Sequence, residues 1–239
     1  MDEFSYVERV VIDKFELQSA IEFRNDFNGS DSLDYHNNKH MNFVLQDCIE
    51  WYMCTMLDSR YAAVMSGAES LFLAAIFHDV DHTGGFRADD ANVANALVQL
   101  VRFGARGSVS EHRIKGVTSD VLRFTQYPYL KDSEIFGSRE QSMDMAIAKR
   151  LGAVIRDADL MTAYHGTDGI EMLAYKLWFE SKKCHATPYH IYCEKQIRFL
   201  HSIEWHTDWA RRKAEVLDFS GRINDVVDAM LDAGYRVPD

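Results

Sequence analysis

Proline and glycine are scarce in this chain, with 3 and 13 among 239 residues. With so little to stop a helix or turn a strand, long helices are favoured over many short strands. Basic residues are also short: 26 Lys and Arg face 37 Asp and Glu, a formal net charge of −11. No basic stripe exists to neutralise a phosphate backbone, which excludes a nucleic-acid polymer as the expected partner. A small phosphate ester is not excluded, because a bound cation can invert the local sign of a site. The four cysteines (Cys48, Cys54, Cys184 and Cys193) form no Cys-x-x-Cys pair. The opening Met1-Asp2-Glu3-Phe4 is acidic and lacks an apolar signal core, and no apolar run is long enough to span a bilayer. These absences predict a cytoplasmic protein with reduced thiols and no membrane contact.

What is present is helical period. Tyr6, Val10, Val11, Phe15, Leu17 and Ile21 recur at three- and four-residue steps and predict a helix over 5–24. Phe43, Val44, Ile49, Trp51, Tyr52 and Leu57 predict another over 42–57. The run Gly67–Phe77 is apolar almost all round, as a central buried helix would be. A new helix is expected from about 88–90, with Asp89 and Asp90 in its first turn, and others over about 110–125, 141–164, 168–183, 188–205 and 208–234. The segment 127–138, with Pro128 and Gly137, reads as a loop. Without repeats, linkers or period-two alternation, the expectation is one all-α, multi-helix domain over residues 1–239. Its amphipathic C-terminal stretch from Trp205 to Tyr235 packs on the domain or on a partner subunit, so a homo-oligomer is one expected form.

Three short runs carry chemistry. His78-Asp79 closes the buried run and sets a nitrogen and an oxygen ligand at one point, followed by Val80-Asp81-His82. A carboxylate at the end of an apolar helix needs a partner, and a metal ion is a common one. His36 and His40, four apart, would share one helix face one turn apart. Asp157 and Asp159 cannot share a face, so at most one is expected to ligate the same ion while the other meets solvent or caps a helix. A histidine and carboxylate set suits Zn²⁺, Mn²⁺, Fe or Mg²⁺ rather than a thiolate-loving ion.

In the order Tyr35-His36-Asn37…His40, His78-Asp79-Val80-Asp81-His82-Thr83-Gly84 and Ala158-Asp159-Leu160, the chain resembles the HD superfamily of metal-dependent phosphohydrolases. Within it the 3′,5′-cyclic nucleotide phosphodiesterase branch is the most similar. The resemblance implies an HD-domain fold whose motif core spans about 30–165, with C-terminal helices over about 168–235 packed on it. It implies two divalent ions. The tighter, Zn²⁺ (or Mn²⁺/Fe²⁺), would be held by His40, His78, Asp79 and Asp159. The second, Mg²⁺/Mn²⁺, would share Asp79 and otherwise be held by water. His36 would be the general acid that protonates the leaving 3′ oxygen, and His82 would orient water around the second ion. Tyr35 and Asn37 would face the substrate, with Asn37 orienting His36, while Glu111, His112 and Asp157 would stand behind the ligands. The implied activity opens a small 3′,5′-cyclic nucleotide to a nucleoside 5′-monophosphate. A nucleotidase or dNTP phosphohydrolase is the enzymatic alternative, and a nucleotide-sensing or interaction module the non-enzymatic one.

The chain also departs from that pattern. Thr83 stands where the branch carries proline, and Ser108-Val109-Ser110-Glu111-His112 is a shortened echo of its Glu-Asn-His-His element. For a base-reading glutamine and aromatic clamp, Gln196 with Phe199, or Trp205 with Trp209, are available, although aromatics at helical spacing are by default core. Of the remaining histidines, His165, His185, His190, His201 and His206 show no ligand spacing and are expected to pack or face water.

Overall fold

In the computed structural model, the described residues are 4–29, 31–84, 88–106, 114–127, 130–138, 142–162, 175–180 and 188–232. Their regular structure is helical, with no strand among them. The elements are α1 (Tyr6–Lys14), α2 (Gln18–Phe27), α3 (Asn38–Thr55), α4 (Ala62–Met65, after a 3₁₀ turn Ser59–Tyr61), α5 (Ala68–Phe77) and α6 (Asp89–Gly104). An irregular turn Ile114–Thr118 leads into α7 (Ser119–Arg123), followed by α8 (Asp132–Phe136), α9 (Met143–Met161) and α10 (175–180). The chain then forms α11 (Tyr189–His201), α12 (Asp208–Val216) and α13 (Phe219–Asp232). None of the helices among the described residues is long and apolar enough to cross a membrane.

The all-apolar run becomes the centre of the fold. Every residue of α5 except Glu69 is buried, and α3, α7 and α9 pack around it. Burial of Leu71, Phe72, Ile76 and Phe77 contributes roughly 1.5–3 kcal/mol each before entropy is counted. One close approach sets the position of α9: a Cβ on Gly152 would overlap the ring of Phe124 at the end of α7. Because α5 is buried all round, its C-terminus delivers His78 and Asp79 into the interior.

Several boundaries differ from expectation. The helix predicted over 5–24 breaks at Phe15–Leu17, where Glu16 adopts φ 54°. Glu16 N donates to Asp13 O at 3.2 Å and Leu17 N to Ile12 O at 2.9 Å, the crossed pair of bonds that closes a helix with a left-handed residue. No glycine or asparagine marks this stop in the sequence, so it was not legible. A second break, at Leu217-Asp218, again has a left-handed acid (Asp218, φ 49°) and divides the helix expected over 208–234 into α12 and α13. The segment 127–138, expected to be a loop, holds the short helix α8, which ends at Gly137 with φ 61°.

Candidate metal centre and cavity

The helix α3 starts one residue after Asn37, which is its N-cap. Asn37 Oδ1 accepts from Lys39 N at 3.0 Å and His40 N at 3.1 Å, and its amide donates to Leu33 O at 2.8 Å. That corrects two expectations. His36 precedes the helix and shares no helical face with His40, and Asn37 has its side chain committed to the backbone rather than to His36 or to the cavity. Asparagine in the extended conformation satisfies two otherwise orphaned helix N–H groups, and so outcompetes continuation of the helix.

His40 from α3, His78 and Asp79 from the end of α5, and Asp159 from α9 converge. His40 Nε2 lies 3.2 Å from His78 Nε2, 3.1 Å from Asp79 Oδ2 and 3.1 Å from Asp159 Oδ1. His78 Nε2 lies 3.3 Å from Asp79 Oδ2 and 3.8 Å from Asp159 Oδ1. His78 donates Nδ1–H to Ala75 O at 2.9 Å, which leaves its Nε2 lone pair aimed at the cluster. Metal-ligating histidines are commonly held in this way. His40, His78 and Asp159 thus form a group that could hold a metal ion, with Asp79 against both histidines.

The electrostatics fit a cation. Burial alone would disfavour a charged His40, yet its hydrogen bonds to Asp159 and Asp79 push it up to about 9. Burial would raise Asp79, but His78 and His36 hold its carboxyl well below the usual range. The centre is therefore built to hold positive charge, and a divalent ion bound there would release the His40 proton.

Beside the cluster stands an acid–base arrangement that the sequence reading missed in part. His36 Nδ1 pairs with Glu180 Oε2 at 2.6 Å. Glu180 Oε1 accepts from the backbone N–H groups of His36, at 3.0 Å, and of Tyr35. Glu180 closes the apolar-rich run Leu177-Trp178-Phe179, much as Asp79 closes α5. That was its one sequence signal, an acid at the end of an apolar stretch. Burial opposes a charged His36, but Asp79 and Glu180 together raise it above 6.5.

The His36 ring stacks on His82 with centroids 3.7 Å apart and planes at 17°. Two imidazoles face to face at this distance oppose double protonation. Burial, and then the charge on His36, lowers His82. His82 Nδ1 accepts from Gly84 N at 3.0 Å, and Nε2 lies 2.9 Å from the Asn92 amide nitrogen. His36, His82 and Glu180 also bring ligand atoms within 4.8 Å of one another, a second group that could hold a metal ion.

Asp157 is placed away from the cluster. It is fully buried and accepts from His206 N (3.0 Å), Thr207 N (2.8 Å), Thr207 Oγ1 (2.7 Å) and His206 Nδ1 (3.0 Å). It ties the start of α12 to α9. Glu111, His112, His165 and His185 lie outside the described residues.

A cavity of about 540 Å³ opens over the cluster. Tyr35, His36, His78, Asp79, His82 and Asp159 line it, together with the apolar Val93, Leu160, Leu177, Phe199 and Ile203 and the ring of Tyr127. The Tyr35 hydroxyl bonds Thr162 Oγ1 at 3.1 Å, and its ring lies 4.5 Å from that of His40. Gln196 and Phe199 also line the cavity, whereas Trp209 is buried with Nε1 donating to Glu50, and Trp205 packs edge-on against Phe219. Packing was the default for all four; it holds for the two tryptophans and for Phe199, which packs against the core while also lining the cavity.

Fold and site together define an all-α protein with a histidine–carboxylate group able to hold a metal ion at the floor of a cavity. Comparison with family models, with curated proteins and with solved structures returned no match.

Proposed function

We propose that the protein is a metal-dependent phosphohydrolase acting on a small 3′,5′-cyclic nucleotide and releasing a nucleoside 5′-monophosphate. The observation that carries this reading is the His36–Glu180 pair beside the His40, His78, Asp79 and Asp159 cluster, on a cavity whose lining also includes apolar side chains. Cavities of this size suit a nucleotide.

The donor set, two imidazoles and two carboxylates, suits Zn²⁺, Mn²⁺ or Fe²⁺ at the cluster, with Mg²⁺ or Mn²⁺ sharing Asp79. Such ions, when bound, lower the pKa of water and offset charge on phosphoryl oxygens. The chain's own residues supply the rest. Glu180 accepts Nδ1–H of His36, so a protonated His36 has its Nε2–H left to give to a leaving oxygen. The two backbone N–H bonds to Glu180 fix the segment that carries this acid. His82, kept neutral against the charged His36 and accepting from Gly84 N at Nδ1, carries its proton on Nε2 and can donate it in a hydrogen bond to water in the cavity. The apolar lining side chains exclude water around the base.

The test is turnover of a panel of cyclic nucleotides by protein reconstituted with Mn²⁺ or Zn²⁺, with His78→Ala and Asp79→Ala as controls. Release of a 5′-monophosphate that both substitutions abolish, together with loss of bound metal by elemental analysis, is the expected result. Turnover no higher than that of the controls overturns the reading.

A further inference from the structure

The cavity has one feature that hydrolysis by itself does not require. Its carboxylates, Asp79, Asp89 and Asp159, all gather with the histidines, whereas Lys195 is the sole Lys or Arg among the described lining residues. No carboxylate among the described residues pairs with its ammonium group. Lys195 is exposed at the cavity, so its ammonium group is available to a ligand without the loss of an ion pair.

Position on α11 says which part of the ligand that is. Tyr192, Lys195, Gln196 and Phe199 form one stripe facing the cavity, and Ile203 joins the lining just past the end of the helix. Residues three and four apart are neighbours on a helix surface, so Lys195 and Gln196 both adjoin Phe199. Long helical side chains lean toward the N-terminus, which brings the Phe199 ring toward that polar turn. Tyr127 meets Phe199 edge-on at 5.4 Å and makes a corner for a flat ring. A base stacked on Phe199 therefore presents its edge to Lys195 and Tyr192. The Tyr192 oxygen accepts from Gln196 Nε2 at 2.9 Å, so its own O–H points elsewhere. An ammonium and a free O–H offer donors only, and they match a base edge made of acceptors. Guanine presents such an edge, with O6 and N7 side by side; adenine places an amino donor where guanine has O6.

We propose that Lys195 is a specificity-determining residue that selects a base with a ring carbonyl, of guanine type, over adenine. This rests on the cyclic-nucleotide reading for its assay, but not for its binding readout. Tyr192 supplies the accompanying donor, and Gln196 holds it in place.

Two measurements on the full chain separate the two readings. The first is kcat/KM of the Mn²⁺-loaded protein for guanosine and adenosine 3′,5′-cyclic monophosphates, for wild type and Lys195→Met. The second is calorimetric binding of GMP and AMP to the metal-free protein and to the same variant. Wild type is expected to favour guanine by about tenfold in both, and Lys195→Met to erase most of that ratio. Turnover of both substrates with no guanine preference, or with a preference that survives Lys195→Met, overturns the role of Lys195 and leaves the hydrolase reading intact. If neither substrate is turned over but GMP still binds tighter than AMP through Lys195, the hydrolase reading falls and the base selectivity stands.

Discussion

Replacing Asp157 with alanine should unfold the protein more easily without disturbing the candidate metal-binding cluster, to which Asp159 belongs two residues away. The carboxylate is wholly buried and accepts from four donors on His206 and Thr207. Of these donors, the Thr207 hydroxyl can rotate and the His206 ring is about one-third exposed, so both can find other partners. The backbone N–H groups of His206 and Thr207 cannot. Two part-buried backbone donors left without this partner, at about 1–2 kcal/mol each, give a loss of roughly 2–4 kcal/mol. For a chain of this size that corresponds to a fall in Tm of about 5–15 °C. Thermal and urea denaturation of the metal-free protein read the effect, and a Zn²⁺ or Mn²⁺ titration checks the cluster. A loss under about 1 kcal/mol would refute the reasoning. Normal stability with lost metal binding would show that Asp157, and not Asp159, is the ligand.

Other substitutions probe separate parts of the argument. His36→Ala should retain bound metal and lose turnover by about 10²–10⁴-fold, the usual size of a general-acid effect; if metal is lost, His36 is a ligand instead. For Glu180→Gln the pH profile is the decisive readout. Glu180 and Asp79 raise His36 above 6.5 against the effect of burial, so the acid form is present at low pH and is lost as pH rises through that raised value. Removing the charge on Glu180 should move the alkaline limb to lower pH, and an unmoved limb would contradict the pairing. Gly152→Val should destabilise by about 1–3 kcal/mol because its side chain would occupy the space of the Phe124 ring, and equal stability would show that α9 can shift away.

How far the sequence could be read depended on the range of the interaction. The period of α5 and the His78-Asp79 pair at its end were legible because one helix carries both. His40 and Asp159 were named as ligands only through the resemblance in motif order, since their own helices carry no signal of it. Glu180 was not legible, because it meets His36 from 144 positions away and carries no spacing signal. Gln196 and Phe199 were ambiguous for the same reason, and Lys195 carried no signal at all. A stripe at helical spacing looks alike whether it faces a core or a cavity, and only the packing of α11 over the cluster distinguishes the two. Asp157 and Asp159 show the local limit: their alternation predicts that they diverge, but not which of them turns toward His40.

The sequence by itself determined the helical class, the central buried helix and the residue types that could hold a metal ion, since period and polarity act within a few turns. Tertiary structure alone decided that His36 leaves the helix, that Glu180 holds it, that His82 stacks on it, and that Asp157 serves α12 rather than the centre. Those outcomes depend on which helices meet. Contacts between distant segments are set by the packing of side-chain volumes and the satisfaction of buried polar groups, and neither leaves a period along the chain.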